Sequence, residues 1–355
     1  MYFLRYYGEQ IGTFLVCLCN TSPQVPQLYY MPTTTIQRKT SVENFANDVR
    51  HGLSQQPKKL SSRFFYNTKG DELFQLIMQL PEYYPTRSEY EIFSTQKQEM
   101  LELFRNGGKP FQLIEFGAGD GTKTKVLLKH LVEQQVDFTY VPIDISSHVL
   151  EQLSDSLTLE IPECKVQPLA YEYFEALERL GNNNNERKVI LFLGSNIGNF
   201  TGERAHLFLQ GLADRMNPND LLMIGMDLKK DPQTILDAYN DKQGITREFN
   251  LNLLDRINEE LGGNFNRQNF THYPTYDPLT GETKSFIVST KKQQVTIDAI
   301  GQTFDFEAWE PIQTELSQKY DLTMIEGLAQ AAGLQVKTLL YDCRHWFVDV
   351  VLTKA

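Results

Sequence analysis

Between Phe111 and Met226 short apolar runs alternate with helical stretches, and three glycines make the first changeover. Phe111–Phe116 has the length and composition of a buried strand, Gly117, Gly119 and Gly121 follow, and the apolar spacing predicts a helix over 123–134. Further strands are predicted over 137–143, 189–193 and 221–226, with helices over 147–157 and 202–216 between them. Strands separated by helices need crossover connections, so they pair in parallel within one sheet. Near the C-terminus a helix over 322–332 closes at Gly333, and two apolar runs follow, 335–341 and 345–352. Too few residues separate these runs for a crossover, so they pair antiparallel. The expected architecture is α/β, a parallel sheet with crossover helices that finishes in an antiparallel hairpin.

The chain has 355 residues, more than one domain of ~100–200 residues needs. Outside the alternating segment, helices are expected over 41–53, with Ser41 as N-cap, over 70–80, over 88–104, and through most of 233–262. Pro81 and Pro85 keep 81–87 out of any continued helix. Residues 286–298 alternate like strands, and 181–186 reads as a loop. These segments suggest a second, α+β domain built from 36–89 and 231–317, beside an α/β domain of 90–230 plus 318–355. Residues 1–35 read as an extension that carries no motif and is loosely attached. Its apolar run Ile11–Cys19 has Glu9 at its edge and no small-residue cleavage site after it, and Met31 is an alternative start.

Charge narrows the function classes. Thirty-four basic residues against 45 acidic ones leave a net charge of -11. That argues against non-specific nucleic-acid binding and against docking on anionic membranes. No apolar run reaches the ~18–20 residues of a membrane span. Four cysteines make no disulfide framework, so a reducing cytoplasm is expected, with Cys164 and Cys343 as buried small side chains. The six histidines are scattered without metal-ligand spacing, so no metal is expected.

The turn Glu115-Phe116-Gly117-Ala118-Gly119-Asp120-Gly121 lets the backbone approach a ligand closely. Asp144 ends the next strand, where a carboxylate can accept hydrogen bonds from two ribose hydroxyls. The G-x-G-x-G spacing and the final hairpin favour S-adenosylmethionine over a dinucleotide. Glu115, Gly117, Gly119, Lys123 and Asp144 are the candidate cofactor residues. Gly194 and Asn199 follow the strand at 189–193, on the edge of an α/β sheet where ligands bind.

Other motifs lie outside this frame. Phe64-Phe65-Tyr66 with Gly70 and Phe74, then Leu80-Pro81-Glu82-Tyr83-Tyr84-Pro85-Thr86-Arg87-Ser88-Glu89, resembles the signature of the histidine-specific methyltransferase family. The glycine loop with Thr122, Lys123 and Thr124, the run Leu193–Phe200, Ala238-Tyr239, and Thr314-Glu315-Leu316-Ser317-Gln318-Lys319-Tyr320 also match, in order, from about residue 55 onward. The resemblance implies a class I methyltransferase domain with a substrate domain from N-terminal and inserted segments. It implies S-adenosylmethionine as methyl donor and a small amino acid as substrate; a monomer in the cytoplasm is expected. The implied reaction is conversion of L-histidine to its Nα-trimethyl form, hercynine, in ergothioneine biosynthesis. The alternative is another amino-acid-derived amine, tryptophan-derived or a modified histidine, because ergot-alkaloid N-methyltransferases share these motifs.

The resemblance also implies residue roles. Tyr66, Tyr83, Gly194, Asn199 and Tyr239 surround the amino-acid backbone, with Tyr66 and Tyr83 at the reacting amine and Asn199 and Tyr239 on the carboxylate. Glu315 and Ser317 face the imidazole. Where histidine methyltransferases line the side-chain pocket with Met, this chain has Ser285. Where they place an Asp beside the adenine it has Ala170-Tyr171-Glu172, so Glu172 is the candidate there, and Asn196 replaces the usual Thr. The chemistry agrees with the roles. Methyl transfer needs an uncharged amine held in line with the S–CH₃ bond, and alignment alone can lower the barrier by several kcal/mol, up to ~7–11.

Overall fold

The computed structural model describes residues 34–105, 107–180 and 186–355; the N-terminal extension and most of the 181–186 loop lie outside that set. Helix α1 (Thr34–Ser54) starts before the expected N-cap, so Ser41 is inside it. No Gly or Pro interrupts 34–41, and the polar side chains there hide the helix from a periodicity reading. Phe45, Val49 and Leu53 are buried at helical spacing. After the short strand β1 (Lys58–Lys59), helix α2 (Thr68–Gln79) is capped by Asn67, whose side chain accepts the Gly70 N–H at 2.8 Å.

Helix α3 (Tyr84–Thr95) begins four residues earlier than expected. Pro85 lies in its first turn, where a missing N–H costs nothing and a preset φ helps. Tyr83 and Tyr84 therefore stand at a helix start and not in a loop. Helix α4 (Lys97–Phe104) follows.

The α/β part runs as strand β2 (Phe111–Phe116), helix α5 (Thr124–Glu133), β3 (Phe138–Asp144), α6 (Ser147–Glu160), the short β4 (Lys165–Val166) and β5 (Leu169–Ala170), α7 (Tyr173–Leu180), β6 (Arg187–Phe192), α8 (Gly202–Arg215) and β7 (Leu221–Asp227). Two helices come next, α9 (Pro232–Tyr239) and α10 (Ile245–Leu261). Then come β8 (Phe270–Asp277), β9 (Glu282–Ser289), β10 (Gln293–Ile297), β11 (Gln302–Phe306) and β12 (Pro311–Gln318). Helix α11 (Leu322–Ala331), β13 (Leu334–Tyr341) and β14 (Phe347–Lys354) close the chain.

The large sheet has eight strands in the order β13-β14-β7-β6-β2-β3-β4, with β5 also on β3. β2, β3, β6 and β7 pair in parallel, and the β13–β14 hairpin adds antiparallel to β7, as expected. All seven residues of β7 are buried, as a central strand covered on both faces requires. One apolar cluster, with Ile114, Phe116 and Phe192, lies on one face; another, with Leu113, Val189 and Leu191, lies on the other.

The second sheet, β1-β12-β9-β8, packs with α1, α2, α10 and the β10–β11 hairpin around Phe249, Leu254, Ile287 and Ile312. The register of β12 on β9 shifts between Gln313 and Glu315. Ile312 pairs with Ile287, yet Glu315 pairs with Ser285 and Ser317 with Thr283. Ile287, Ser285 and Thr283 lie on the buried face of β9, so the shift keeps Ile312, Glu315 and Ser317 on that face together. One strand thus serves the core at one end and presents polar groups at the other.

Residues 42–355 form one compact unit. Among the described residues no helix is long and apolar enough to cross a membrane. Cys343 is exposed in the β13–β14 turn and Cys164 half-buried, so the expectation of two buried thiols fails: turn geometry, not apolarity, decides where Cys343 goes.

Candidate active site

The C-terminal ends of β2, β3 and β6 meet at the glycine loop. Gly119 has φ of +54°, which favours glycine, and a Cβ there would meet nothing within 4 Å, so the backbone borders open space. Gly117 is crowded instead: a Cβ would lie 2.7 Å from the Tyr173 hydroxyl and 3.2 Å from the Asn196 amide nitrogen. Tyr173 and Asn196 therefore flank the loop. Asp144 ends β3, and its two oxygens accept the N–H groups of Gly119 at 3.2 Å and Ser146 at 3.0 Å. Burial raises its pKa, and those N–H groups work against the rise. Each oxygen keeps a lone pair for a ligand hydroxyl.

Across from this loop the inner face of the second sheet presents Glu315 and Ser317. Ser285 donates its hydroxyl to Glu315 Oε2 at 3.0 Å. Burial raises the Glu315 pKa, opposed by that bond and by Lys319. Lys319, fully buried, donates to Ser317 Oγ at 2.9 Å, to the Tyr239 hydroxyl at 2.9 Å, and to Asp227 Oδ2 at 2.8 Å. Asp227 ends β7. Burial disfavours its charge, but Lys319 and Lys230 outweigh that and hold its pKa low. The Tyr84 hydroxyl lies 2.9 and 2.8 Å from its two oxygens. Lys230 binds the same carboxylate, and burial takes its own pKa down to about 8.

Tyr66 joins the two halves. Its side chain retains 43% of its surface yet sits deep among protein atoms, as a residue lining a crevice does. Burial raises its pKa first; next come Glu315 on the second sheet, Tyr173 and Asp144 by the glycine loop, and Asp71. Tyr83 is raised by burial and then by Tyr239, Tyr66 and Glu315. The three tyrosines and Glu315 thus form one electrostatic cluster.

The loop after β6 completes the site. Gly194 donates its N–H to Glu89, and Ser195 adopts φ of 55°, a strained conformation for a side chain with a Cβ. The Ser195 hydroxyl accepts the Asp227 N–H at 3.1 Å, which pins this turn to the end of β7. Asn199 lies exposed at the end of the short helical turn Asn196–Asn199.

Besides Gly194 and Asn199 in the loop after β6, the candidates from the sequence fall into three groups. Tyr66, Tyr83, Tyr239, Ser285, Glu315 and Ser317 lie in one cluster, and Gly117, Gly119 and Asp144 in a second that Tyr66 links to it. Glu115, Lys123 and Glu172 sit differently from a simple cofactor contact. Glu115 is buried, with its oxygens accepting the Thr124 hydroxyl at 2.8 Å and the Tyr140 hydroxyl at 2.6 Å. Burial pushes its pKa up to about 7 against those bonds. Lys123 turns inward to pair with Glu89. Glu172 is exposed and pairs with Arg63 at 3.3 Å. Lys319, Glu89, Tyr173 and Asn196 are the residues that spacing alone does not mark as parts of the site. A hollow of about 620 Å³ lies elsewhere, beside Arg247, Glu248 and Arg267. Its Arg267 is already paired with Glu248 and, at 2.9 Å, with Asp255.

Comparison with known proteins meets this geometry. The model of the family described as "Histidine-specific methyltransferase, SAM-dependent" matches residues 45–354. The chain belongs to that family. It is 35% identical over 288 residues to a histidine N-alpha-methyltransferase of Mycobacterium tuberculosis, covering 81% of this chain and 88% of that one. It is 31% identical over 310 residues to the protein of the same description from Mycolicibacterium smegmatis, covering 87% and 92%. A 4-dimethylallyltryptophan N-methyltransferase of Claviceps purpurea is 28% identical over 222 residues, covering 59% and 62%.

The protein is thus an S-adenosylmethionine-dependent N-methyltransferase with the class I fold. Its residues fit that methyl donor. The space at Gly119 accommodates a ligand against the backbone, and Asp144 offers acceptors for vicinal hydroxyls. The matched segment holds every residue of both clusters.

Proposed function

We propose that the enzyme methylates the α-amine of L-histidine and carries it to the Nα-trimethyl product, hercynine, as an ergothioneine-pathway enzyme. The observation that carries this reading is the pair Glu315 and Ser317 on one inner face, an acceptor and a hydroxyl two residues apart, beside the tyrosine cluster. An imidazole offers one N–H and one bare nitrogen to such a pair. An indole offers only the N–H. In this reading residues 36–89 with 231–317 hold the substrate, and 90–230 with 318–355 hold the methyl donor. The protein acts as a cytoplasmic monomer.

Bound beside Gly119 and Asp144, S-adenosylmethionine supplies a methyl group on a positively charged sulfur. The chain's own residues position the nucleophile. Tyr239 and Asn199 hold the substrate carboxylate, and Gly194 borders its backbone. Tyr66 and Tyr83, whose pKa values burial raises, remain neutral phenols at physiological pH. Their oxygens accept amine N–H groups and turn the nitrogen lone pair toward the methyl without adding a negative charge that would keep the amine protonated. No general acid is required, because the departing thioether is neutral. Lys123 and Glu115 act from behind the loop, and Glu172 is the candidate for the adenine edge.

A second substrate class has one observation in its favour. Ser285 is small and fully buried beside Glu315, which leaves room for a ring-substituted histidine. Mass spectrometry of products formed from S-adenosylmethionine with histidine, a ring-methylated histidine, and tryptophan tests both readings. Mass gains of one, two and three methyl groups on histidine are expected. Methylation of tryptophan but not histidine overturns the proposal.

A further inference from the structure

The Lys319 ammonium has three N–H donors and no acceptor, and three acceptors surround it: Asp227 Oδ2 at 2.8 Å, Tyr239 Oη at 2.9 Å and Ser317 Oγ at 2.9 Å. It is 1% exposed, so water has no share in that arrangement. A hydroxyl that receives an N–H on one lone pair turns its own hydrogen away from that donor. Tyr239 and Ser317 are both in this position, and among the described residues Lys319 is the hydrogen-bond partner of each. Glu315 has the opposite polarity, since Oε2 already accepts from Ser285 and its remaining lone pairs can only accept.

We propose that Lys319 sets the hydrogen-bond polarity of the substrate pocket, fixing Tyr239 and Ser317 as donors so that the site selects a carboxylate and a neutral imidazole. This rests on the histidine reading above and adds to it a specificity-determining residue that does not touch the substrate. Tyr239 donates to the substrate carboxylate. Ser317 donates to the bare ring nitrogen, and Glu315 accepts from the ring N–H. One tautomer of the neutral ring satisfies both Ser317 and Glu315. An imidazolium presents a second N–H to the Ser317 hydroxyl, which can take it only on its remaining lone pair beside the Lys319 ammonium, leaving its own hydrogen without an acceptor. A pyrrole presents C–H there and leaves the Ser317 hydrogen unpaired in a buried site.

The test compares kcat/KM for histidine, 3-(pyrrol-2-yl)alanine and 3-(thiazol-5-yl)alanine. The pyrrole keeps the N–H and loses the bare nitrogen; the thiazole does the reverse. In Lys319→Met the histidine-to-pyrrole ratio is expected to fall about tenfold, because Ser317 is free to turn. The histidine-to-thiazole ratio, which reads Glu315, should stay within about threefold. Ser317→Ala should lower the pyrrole ratio equally, and the double variant no further. Histidine KM in the wild type should rise steeply below pH ~6.5, where free imidazole protonates; in Lys319→Met that rise should flatten. A general structural role for Lys319 would change all three substrates alike and leave the pH profile in place. Asp227 keeps Lys230 and Tyr84 as partners in the variant; if it nevertheless fails to fold, Asp227→Asn/Lys319→Met removes both charges and takes the same measurements. Unchanged ratios in a folded variant, with the wild type active on histidine, overturn this inference alone. A wild type inactive on histidine overturns the reading beneath it as well.

Discussion

The N–H of Gly194 lies between the two carboxylate oxygens of Glu89, at 2.8 and 3.0 Å. Glu89 comes from α3, the helix that starts at the tyrosine-proline motif, and Gly194 lies in the turn after β6. Lys123, from the glycine loop, binds the same carboxylate. One buried side chain therefore ties together the segments that carry the tyrosines, the methyl-donor loop and the β6 turn. Asp349 lies beside it on β14, and burial and the nearby Glu89 raise its pKa well above the usual range. Glu89→Ala leaves Lys123 and the Gly194 N–H without their acceptor. A stability loss of about 3–5 kcal/mol is expected, the usual cost of breaking a buried pair. Urea unfolding measures it, and a loss below about 1 kcal/mol would show that Asp349 ionises and takes over.

Glu89 reaches this place by crossing β7 at Gly225. A Cβ on Gly225 would overlap Glu89 Oε1 and lie 3.2 Å from Asp349 Oδ1. Gly225→Ala should displace the carboxylate from Gly194. About 1–3 kcal/mol of stability should be lost, as for other overpacked cores, together with turnover. A variant as stable and as active as the wild type would mean that the sheet relaxes around the methyl group.

Asp144→Ala removes the acceptors at the end of β3. Hydrogen bonds to a charged group contribute about 1.5–3 kcal/mol each. Calorimetry with S-adenosylmethionine should show weakening of that size in a folded variant. Unchanged affinity would assign the ribose hydroxyls to another acid.

Glu115 carries a pH signature. Its folded pKa of about 7 lies above the ordinary 4.5, so between those values the folded state binds more protons than the unfolded chain. Stability from this group is then present at low pH and lost as pH rises through 7. The 2.5-unit difference corresponds to about 3 kcal/mol. Glu115→Gln does not titrate. Between pH 5 and 8 its stability relative to the wild type should improve by about 3 kcal/mol, read from urea unfolding at each pH. A difference that is flat with pH would place the Glu115 pKa near its ordinary value.

What the chain discloses before folding is what neighbours along it decide. The glycine turn, β2, β3 and the closing hairpin follow from apolar runs, turn residues and connection length, all local properties. Tyr66, Tyr83, Glu315 and Ser317 stand out through motif resemblance. Lys319 lies in the same matching run, but its role is not legible there, because it exists only once β7, α9 and β12 bring Asp227, Tyr239 and Ser317 around it. Glu89 is opaque for the same reason, since its partners come from the glycine loop and the end of β6. The shift at Thr314 escapes a strict alternation reading, because a bulge changes the period in one place. The start of α3 at Tyr84 shows the converse: along the chain Pro85 reads as a helix breaker, whereas in a first turn it is a helix starter.

Side-chain selection should depend on Glu315. In the folded protein this carboxylate is held by Ser285 at 3.0 Å and faces the tyrosine cluster, and burial makes its ionised form costly. Its ionised form is the stronger acceptor of an N–H, so histidine turnover should fall with acid as the raised Glu315 pKa is crossed. Glu315→Ala removes the acceptor and leaves Ser285 without its partner. Histidine turnover should drop by two orders of magnitude or more, the scale on which a pocket built for hydrogen bonds rejects a mismatched ligand. Binding of S-adenosylmethionine should hardly change, because Asp144 and Gly119 lie in the other cluster. Tryptophan and phenylalanine should gain relative to histidine as the pocket becomes more apolar. Glu315→Gln separates charge from shape, because its amide oxygen can still accept while its pH dependence disappears. It should retain more histidine turnover than Glu315→Ala and lose the acid limb. If Glu315→Ala methylates histidine at the wild-type rate, the imidazole is read elsewhere and the inner face of β12 only supports the fold.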